Sequence, residues 1–297
     1  MIKPALQGEA FLTDVRYAAS ERDTLHIWWL GQSGFLAQWR GEHLLFDPYL
    51  SDSLTRKYAA TDKPHTRMTE LVVEPERLDF IDVATSSHNH TDHLDGETLL
   101  DLMQANPEME LLVPSANRRF AAERLEVDPD QLRAIDVGQS IRLGEIELHA
   151  VPAAHESLAK DDQGRYHFVG YVAKLGPWTI YHSGDTIPYD GMEEILRQWE
   201  IDVALLPING RLPERRVAGN LWGREAARAW PSRSTPGQSS PATMKCSSST
   251  PSPLMNSRPS AVRLAKRTPP SRPANAGAVQ KRTDRPTHIH FSFLRWA

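Results

Sequence analysis

The feature that most constrains this chain is a polar cluster placed between an apolar run and an amphipathic segment. Three histidines and one aspartate fall within six positions of the stretch Ser86–Gly96. The stretch directly follows Phe80–Ala84, which predicts a short buried strand, and it leads into residues 96–105, which predict a helix. A loop in this position lies at the C-terminal edge of a sheet, where α/β folds carry their functional residues. The stretch therefore predicts an α/β protein with a functional site at that edge.

The spacing of these polar residues is typical of a metal site. In an extended loop His88 and His90 project to the same side, because side chains alternate with a period of two. Asp92 and His93 follow where the chain turns towards the predicted helix. Imidazole and carboxylate groups suit Zn²⁺ and its neighbours, and an open site needs about three of them. A lone histidine in a loop is usually a surface residue, but four candidate ligands in six positions indicate metal binding.

The pattern His88-x-His90-x-Asp92-His93 resembles the signature of the metallo-β-lactamase fold superfamily of metal-dependent hydrolases. Within that superfamily the chain most resembles the branch that includes ascorbate-6-phosphate lactonase. Trp28–Gly34 and Tyr181–Asp185 support the resemblance, which runs from about residue 26 to about residue 228. It implies an α/β fold, the four-layer αββα sandwich of the metallo-β-lactamase type, with an incomplete C-terminal part.

The resemblance also implies two divalent metal ions, Zn or Mn, held by histidines and aspartates that follow predicted strands. The first ion would be held by His88, His90 and His155, and the second by Asp92 and His93, with Asp185 between the two. Asp47, at the end of a predicted strand, would support these ligands in the resembling family. A turn aspartate before Pro48 remains an equally good interpretation of Asp47.

Candidate catalytic and substrate-binding residues follow from the same reasoning. Asp92 is the candidate proton acceptor as well as a ligand, and Asn209 and Arg211 follow a predicted strand on the ligand-bearing edge, where they could contact substrate. A water held between two ions has its pKa lowered to near neutrality and would attack a lactone, ester or phosphoester bond. This mechanism needs no cysteine nucleophile, which agrees with a chain whose only cysteine is Cys246.

Composition excludes several other classes of protein. The sequence contains no run of 18 or more apolar residues, and its first nine residues lack the apolar core of a signal peptide. A single cysteine excludes an intrachain disulfide. We therefore expect a cytoplasmic protein with a small-molecule substrate and no membrane partner, and a homo-oligomer is left open.

The C-terminal segment differs in composition from the rest of the chain. From Pro231 to Ala297 there are eleven Lys and Arg and one acidic residue, so this segment carries +10 and residues 1–230 carry −14. Ten prolines and twelve serines without apolar periodicity predict disorder in the same segment. The expected organisation is a hydrolase domain over residues 1–229, truncated at its C-terminal end, and a disordered tail over residues 230–297.

A frameshift would explain this tail. When the codons of residues 230–250 are read one base earlier, they permit the string LAKPLDARAVIPCHYEMFEFNT. That string would continue the helix, supply an apolar strand and end on a Cys-His pair, where the resembling family places its last ligand to the second metal. We therefore expect a weakened second metal site in this chain, and sequencing the coding DNA across codons 225–250 tests the hypothesis.

Two other functions stay open. A chain without its last ligand would be a defective or non-catalytic metal-binding protein. A nucleic-acid-processing nuclease of the same fold would use the basic tail. However, the tail lacks interleaved aromatic residues, and the acidic body would repel phosphates. Nucleic-acid binding is therefore the weaker expectation.

Overall fold

Alternating apolar side chains organise the chain into two sheets that pack face to face. The structure is a computed structural model that describes residues 1–62, 65, 67, 69–208 and 219–221, together with the backbone of 242–245 and 261–265. The helices are α1 (Gly8–Ala18), α2 (Ser53–Tyr58), α3 (Gly96–Ala105), α4 (Arg118–Leu125) and α5 (Met192–Leu196). None of the helices in the described residues is long and apolar enough to cross a membrane.

The first sheet has the strand order β13-β1-β2-β3-β4-β5-β6, and β3 to β6 run parallel. Its strands are β1 (Thr24–Gly31), β2 (Gly34–Trp39), β3 (Glu42–Phe46), β4 (Val83–Thr85), β5 (Glu110–Pro114), β6 (Arg133–Ile135) and β13 (Ala261–Ala265). Because β3 and β4 are parallel neighbours, their C-terminal ends lie side by side at one edge of the sheet.

The second sheet has the strand order β12-β11-β10-β9-β8-β7. Its strands are β7 (Ser140–Leu143), β8 (Ile146–Pro152), β9 (Val169–Leu175), β10 (Trp178–His182), β11 (Val203–Leu206) and β12 (Ala242–Lys245). Strands β8 and β10 are both antiparallel to β9, so they run in the same direction and end at the same edge.

The period-two alternation of the strands separates three apolar layers. Ile180 and Val203 point between the sheets, where they join Phe46 of the first sheet in a shared core. Their chain neighbours in β10 and β11 point outward, and Met192 of α5 covers them. Helices α1, α3 and α4 cover the outer face of the first sheet through side chains such as Leu99. The arrangement is helix, sheet, sheet, helix, and the predicted four-layer αββα sandwich is confirmed.

The structure differs from the sequence-based expectation within the tail. Disorder is predicted over residues 230–297, whereas Ala242–Lys245 pairs in parallel with β11 and Ala261–Ala265 pairs antiparallel with β1. Each segment is the outermost strand of its sheet. It pairs with a strand whose backbone N–H and C=O groups on that side would otherwise lack strand partners. The division of the chain at residue 229 stays a prediction.

Candidate metal centre

Three strand ends position the candidate site. Ser86–Asp95, here called the histidine loop, follows β4, and Asp95 closes it by accepting a hydrogen bond from the Thr98 amide at the start of α3. His155 follows β8, and Asp185 follows β10. Because β4 belongs to one sheet and β8 and β10 to the other, the site lies where the edges of the two sheets meet.

Three imidazoles form the first part of the site. The ligand atoms of His88, His90 and His155 all lie within 4.8 Å of one another. His88 is buried, His155 is partly buried and His90 is exposed, so the group leads from the protein interior to solvent. The structure therefore brings together the three residues predicted to hold the first ion.

A second group adjoins the first through Asp185. The Nε2 atom of His93 lies 3.4 Å from Asp185 Oδ2 and 3.8 Å from Asp92 Oδ2. The same Asp185 oxygen lies 3.9 Å from His155 Nε2. All six predicted ligands thus converge, and Asp185 lies between the two groups, as the resemblance implies.

Burial and neighbouring charges determine the protonation of the imidazoles. Burial lowers the pKa of His88 well below its ordinary value, and His93 adds to the effect. Burial also lowers the pKa of His90, as does the neighbouring His155. At His93 burial acts in the same direction, but the carboxylates of Asp185 and Asp92 outweigh it and raise the pKa well above its ordinary value. His88 and His90 are therefore held in the neutral form that binds metal ions.

Asp47 supports the histidine loop from below. This fully buried carboxylate accepts a hydrogen bond from the Ser87 amide at 2.9 Å, and another from the Ser87 hydroxyl. Its Oδ2 also lies 2.6 Å from His93 Nδ1. Asp47, His88 and His93 could by distance hold an ion themselves. Both Asp47 oxygens are already engaged, however, which fits a carboxylate that orients the loop better than one that faces an ion.

The Ser87 hydroxyl extends this network to the first group. Because it donates its proton to Asp47, it can only accept a hydrogen bond from His88 Nδ1, which lies 2.9 Å away. That bond leaves His88 Nε2 with a lone pair for an ion. On the other side of the loop the Ser33 hydroxyl donates to the backbone carbonyl of Asp92 at 2.5 Å. The backbone and side chains of the loop are therefore held in place by polar contacts.

Sequence reasoning missed two residues at the site. The ring of Phe168 packs against His155 at a centroid distance of 5.1 Å, and the amide of Gly219 donates to the His155 carbonyl at 2.6 Å. Neither residue lies in a motif or directly after a predicted strand, so no sequence signal could have identified it. The candidate substrate residues Asn209 and Arg211 lie outside the described residues.

The side chains present fit a divalent metal ion. Three imidazoles, one of them exposed to solvent, match the donor set of an open zinc site. Nearby carboxylates supply the negative charge and oxygen ligands that Zn²⁺ and Mn²⁺ also accept.

Comparison with known proteins agrees with this geometry. The family model described as "Beta-lactamase superfamily domain" matches residues 42–236. A UPF0173 metal-dependent hydrolase of Caldivirga maquilingensis is 31% identical over 190 residues, which cover 62% of this chain and 70% of that protein. Another, of Myxococcus xanthus, is 31% identical over 202 residues and covers 65% and 63%, respectively.

Two solved structures share the fold. A possible metal-dependent hydrolase from Veillonella parvula aligns with a TM-score of 0.52 at 17% identity, covering 69% of this chain and 79% of that one. An isothiocyanate hydrolase from Delia radicum gut bacteria aligns with a TM-score of 0.52 at 21% identity and the same two coverages. At these identities the likeness extends to the fold alone.

Proposed function

We infer the function from the family to which this chain belongs, the beta-lactamase superfamily domain family; the chain is a metal-dependent hydrolase of the metallo-β-lactamase superfamily. We propose that it hydrolyses a lactone, ester or phosphoester bond in a small molecule. The observation that carries the proposal is the convergence of six candidate ligands from three strand ends, with the ligand atoms of His88, His90 and His155 within 4.8 Å of one another.

Two divalent ions, Zn or Mn, would occupy this centre. His88, His90 and His155 would hold the first ion through their imidazole nitrogens. Asp92 and His93 would hold the second, with Asp185 shared, because its Oδ2 faces both His93 and His155. The second ion would be the more weakly held, since the described residues provide it with one imidazole rather than three.

Bound divalent ions lower the pKa of a coordinated water to near 7 and polarise the carbonyl or phosphoryl oxygen under attack. Asp92 would accept the proton of the attacking water. Its side chain is more exposed than that of Asp185, so it is more accessible to solvent and substrate. The bond from Ser33 to the Asp92 carbonyl would hold this residue at the mouth of the site.

Asn209 and Arg211 are proposed to bind the substrate. The described chain ends at Ile208 after β11 and resumes at Gly219, whose amide bonds to His155. Residues 209–218 of the sequence are therefore flanked on one side by a residue that follows β11 and on the other by a residue that contacts His155. Among the three bond types we favour a lactone, because the sequence most resembles the branch that includes ascorbate-6-phosphate lactonase. The cationic Arg211 would suit an anionic group on such a substrate.

Metal content and hydrolysis test this function together. The purified full chain, loaded with Zn²⁺ or Mn²⁺, is analysed for metal and assayed against a panel of lactones, carboxylic esters and phosphodiesters. We expect about two ions per chain and turnover of at least one class. His88→Ala should remove the first ion and lower kcat/KM by at least about a hundredfold, since it deletes a ligand on which the chemistry depends.

The matched control is His149→Ala, which removes an imidazole from the middle of β8, away from the strand ends. Its metal content and activity should equal those of the unmodified chain. Equal metal loss in both variants, or hydrolysis that persists in His88→Ala, would count against the proposal.

A further inference from the structure

The three imidazoles of the first group are oriented in different ways. His88 Nδ1 lies 2.9 Å from the Ser87 hydroxyl, and His90 Nδ1 lies 3.0 Å from His88 Nε2. Within the described part of the chain, the ring of His155 makes no hydrogen bond, and Asp185 Oδ2 is 3.9 Å away. Histidines that bind metals are usually oriented by a hydrogen bond from their second nitrogen. Among the described residues, the contacts that can take that role at His155 are packing contacts.

The ring of Phe168 provides such a contact. It stacks on the His155 imidazole with centroids 5.1 Å apart and an interplanar angle of 24°. The same phenyl ring lies 5.0 Å from the His88 ring and 5.9 Å from the His90 ring. These separations fall in the range of attractive aromatic contacts. A single side chain therefore packs against all three imidazoles and lies nearest to parallel with that of His155.

The backbone holds the Phe168 ring in a fixed place. The Phe168 carbonyl accepts a hydrogen bond from the Ala153 amide at 3.2 Å, just before His155. The next amide, of Val169, donates to the Ser87 carbonyl at 3.1 Å. The preceding carbonyl, of His167, accepts from the Asn117 side chain at 2.8 Å. Phe168 is thus tied both to the histidine loop and to the segment that carries His155.

Gly219 further restricts the His155 ring. A Cβ at position 219 would come within 2.8 Å of His155 Cδ2 and 2.7 Å of Asp185 Cβ, so only glycine permits this approach. The imidazole is therefore confined on one side by an aromatic ring and on another by the backbone of Gly219.

We propose that Phe168 is a positioning residue that sets the orientation of the His155 imidazole and thereby the affinity of the first metal site. The inference rests on the proposed function, in which His88, His90 and His155 hold an ion. Without the phenyl ring, His155 would occupy several rotamers, and ion binding would have to restrict it to one. The loss in metal affinity should resemble that caused by deleting an orienting hydrogen bond, about tenfold.

Cobalt titration of the full chain tests this inference. Co²⁺ absorbs visible light when bound by protein ligands, so its affinity can be measured without substrate. We expect Phe168→Leu to weaken Co²⁺ binding about tenfold and to change the absorption band, and Phe168→Tyr, which keeps the ring, to restore both. In the His155→Ala background, Phe168→Leu should have no further effect, because coupled residues are not additive.

The matched control is Phe80→Leu. Phe80 is also partly buried against an imidazole, with its ring centroid 4.8 Å from that of His43, but His43 lies near the start of β3. The Phe80→Leu variant should bind Co²⁺ with the affinity of the unmodified chain. The inference is overturned if Phe168→Leu binds Co²⁺ normally, if it weakens binding equally without His155, or if Phe80→Leu has the same effect. An unmodified chain that binds no Co²⁺ would instead contradict the proposed function itself.

Discussion

At the residue scale, Asp47 shows how a buried charge can serve a site that it does not enter. A carboxylate without access to water is stable only when hydrogen-bond donors surround it. Here the donors are the Ser87 amide, the Ser87 hydroxyl and His93 Nδ1. With Nδ1 engaged in this way, His93 presents Nε2 to Asp92 and Asp185. One carboxylate thus determines which nitrogen of His93 faces the candidate metal centre.

Replacing Asp47 with asparagine should show whether the side chain acts by orienting the metal ligands or only by filling space. The amide keeps the shape of the side chain, but its NH₂ group would face a donor instead of accepting from it. We expect metal affinity to fall about 10- to 100-fold, which is typical when the partner of a metal ligand is lost. Isothermal titration of the metal-free chain with Zn²⁺ measures this change.

Asp82→Asn is the control for Asp47→Asn. Asp82 also accepts a backbone hydrogen bond, from the His43 amide at 2.7 Å, but it lies just before β4, whereas the site follows that strand. The Zn²⁺ affinity of the Asp82→Asn variant should match that of the unmodified chain. Equal affinity in Asp47→Asn would mean that the carboxylate does not orient the ligands.

The residues of the candidate centre divide into those that the sequence reveals and those that it does not. The histidine loop, His155 and Asp185 carry recognisable side chains directly after strands, so their convergence could be predicted. Ser87 lies in the same stretch, but its hydroxyl acts through a contact with Asp47, 40 positions away. Phe168 and Gly219 contribute packing and a lack of side chain, and neither property is visible before the chain has folded.

At the scale of elements, the turn after β10 of the second sheet packs closely against the histidine loop of the first. Gly184 adopts a φ of +57°, and a Cβ there would lie 2.7 Å from Ser87 Cβ and 2.9 Å from the Val169 carbonyl. The turn that carries Asp185 can therefore lie this close to the histidine loop only with a glycine at position 184.

Gly184→Ala should consequently destabilise the fold more than backbone strain alone would. Gly144 in the β7–β8 hairpin has the same φ of +57°, but the nearest atom to its hypothetical Cβ is Glu42 Oε2 at 3.9 Å. Gly144→Ala should cost about 1 kcal/mol of unfolding free energy from the left-handed conformation. Gly184→Ala should cost at least about 2 kcal/mol more, because overpacking adds to strain.

Urea denaturation of the two alanine variants measures this difference. Equal losses of unfolding free energy would show that the histidine loop moves aside without cost. Gly184→Ala should also bind Zn²⁺ more weakly, since Asp185 follows it directly, whereas Gly144→Ala should not.

Elements with a local signal could be predicted, and those that depend on distant partners could not. The β7–β8 and β9–β10 hairpins carry such a local signal, because Gly144 and Gly176 mark tight turns between apolar runs. Helix α3 is confirmed over Gly96–Ala105. Helix α1 was not predicted, and β12 and β13 lie in a segment whose composition indicates disorder. Those two strands form by pairing with open sheet edges, which is a property of the whole fold.

At the scale of the whole molecule, the candidate centre joins the two sheets. The histidine loop follows β4 of the first sheet, whereas His155 and Asp185 follow β8 and β10 of the second. An ion that binds all of these side chains binds only the folded chain, in which both sheets are in place. Metal binding should therefore stabilise the protein as a whole.

Removing the metal should lower the temperature of unfolding. At a free Zn²⁺ concentration one hundred times the Kd, binding adds about 2.7 kcal/mol to the unfolding free energy. For a domain of this size, that corresponds to a rise of about 5–10 °C in Tm. Calorimetry of the chain with Zn²⁺ and after dialysis against a chelator measures the shift.

His155→Ala is the control for this experiment. Without the imidazole from the second sheet, the remaining ligands of the first group come from the histidine loop alone. Zn²⁺ should then raise Tm by much less than in the unmodified chain. An equal shift in both proteins would mean that the ion binds within one sheet.

The position of the centre between two sheets also orders events during synthesis. The histidine loop emerges from the ribosome 67 positions before His155 and 97 positions before Asp185. At about 5–20 residues per second, the 67 positions to His155 take roughly 3–13 seconds. During that time the growing chain contains His88 and His90 but not His155, so we expect it to bind a divalent metal ion only weakly. A chain released before this point lacks two of the candidate ligands, so we expect metal loading only in a polypeptide whose translation has passed Asp185.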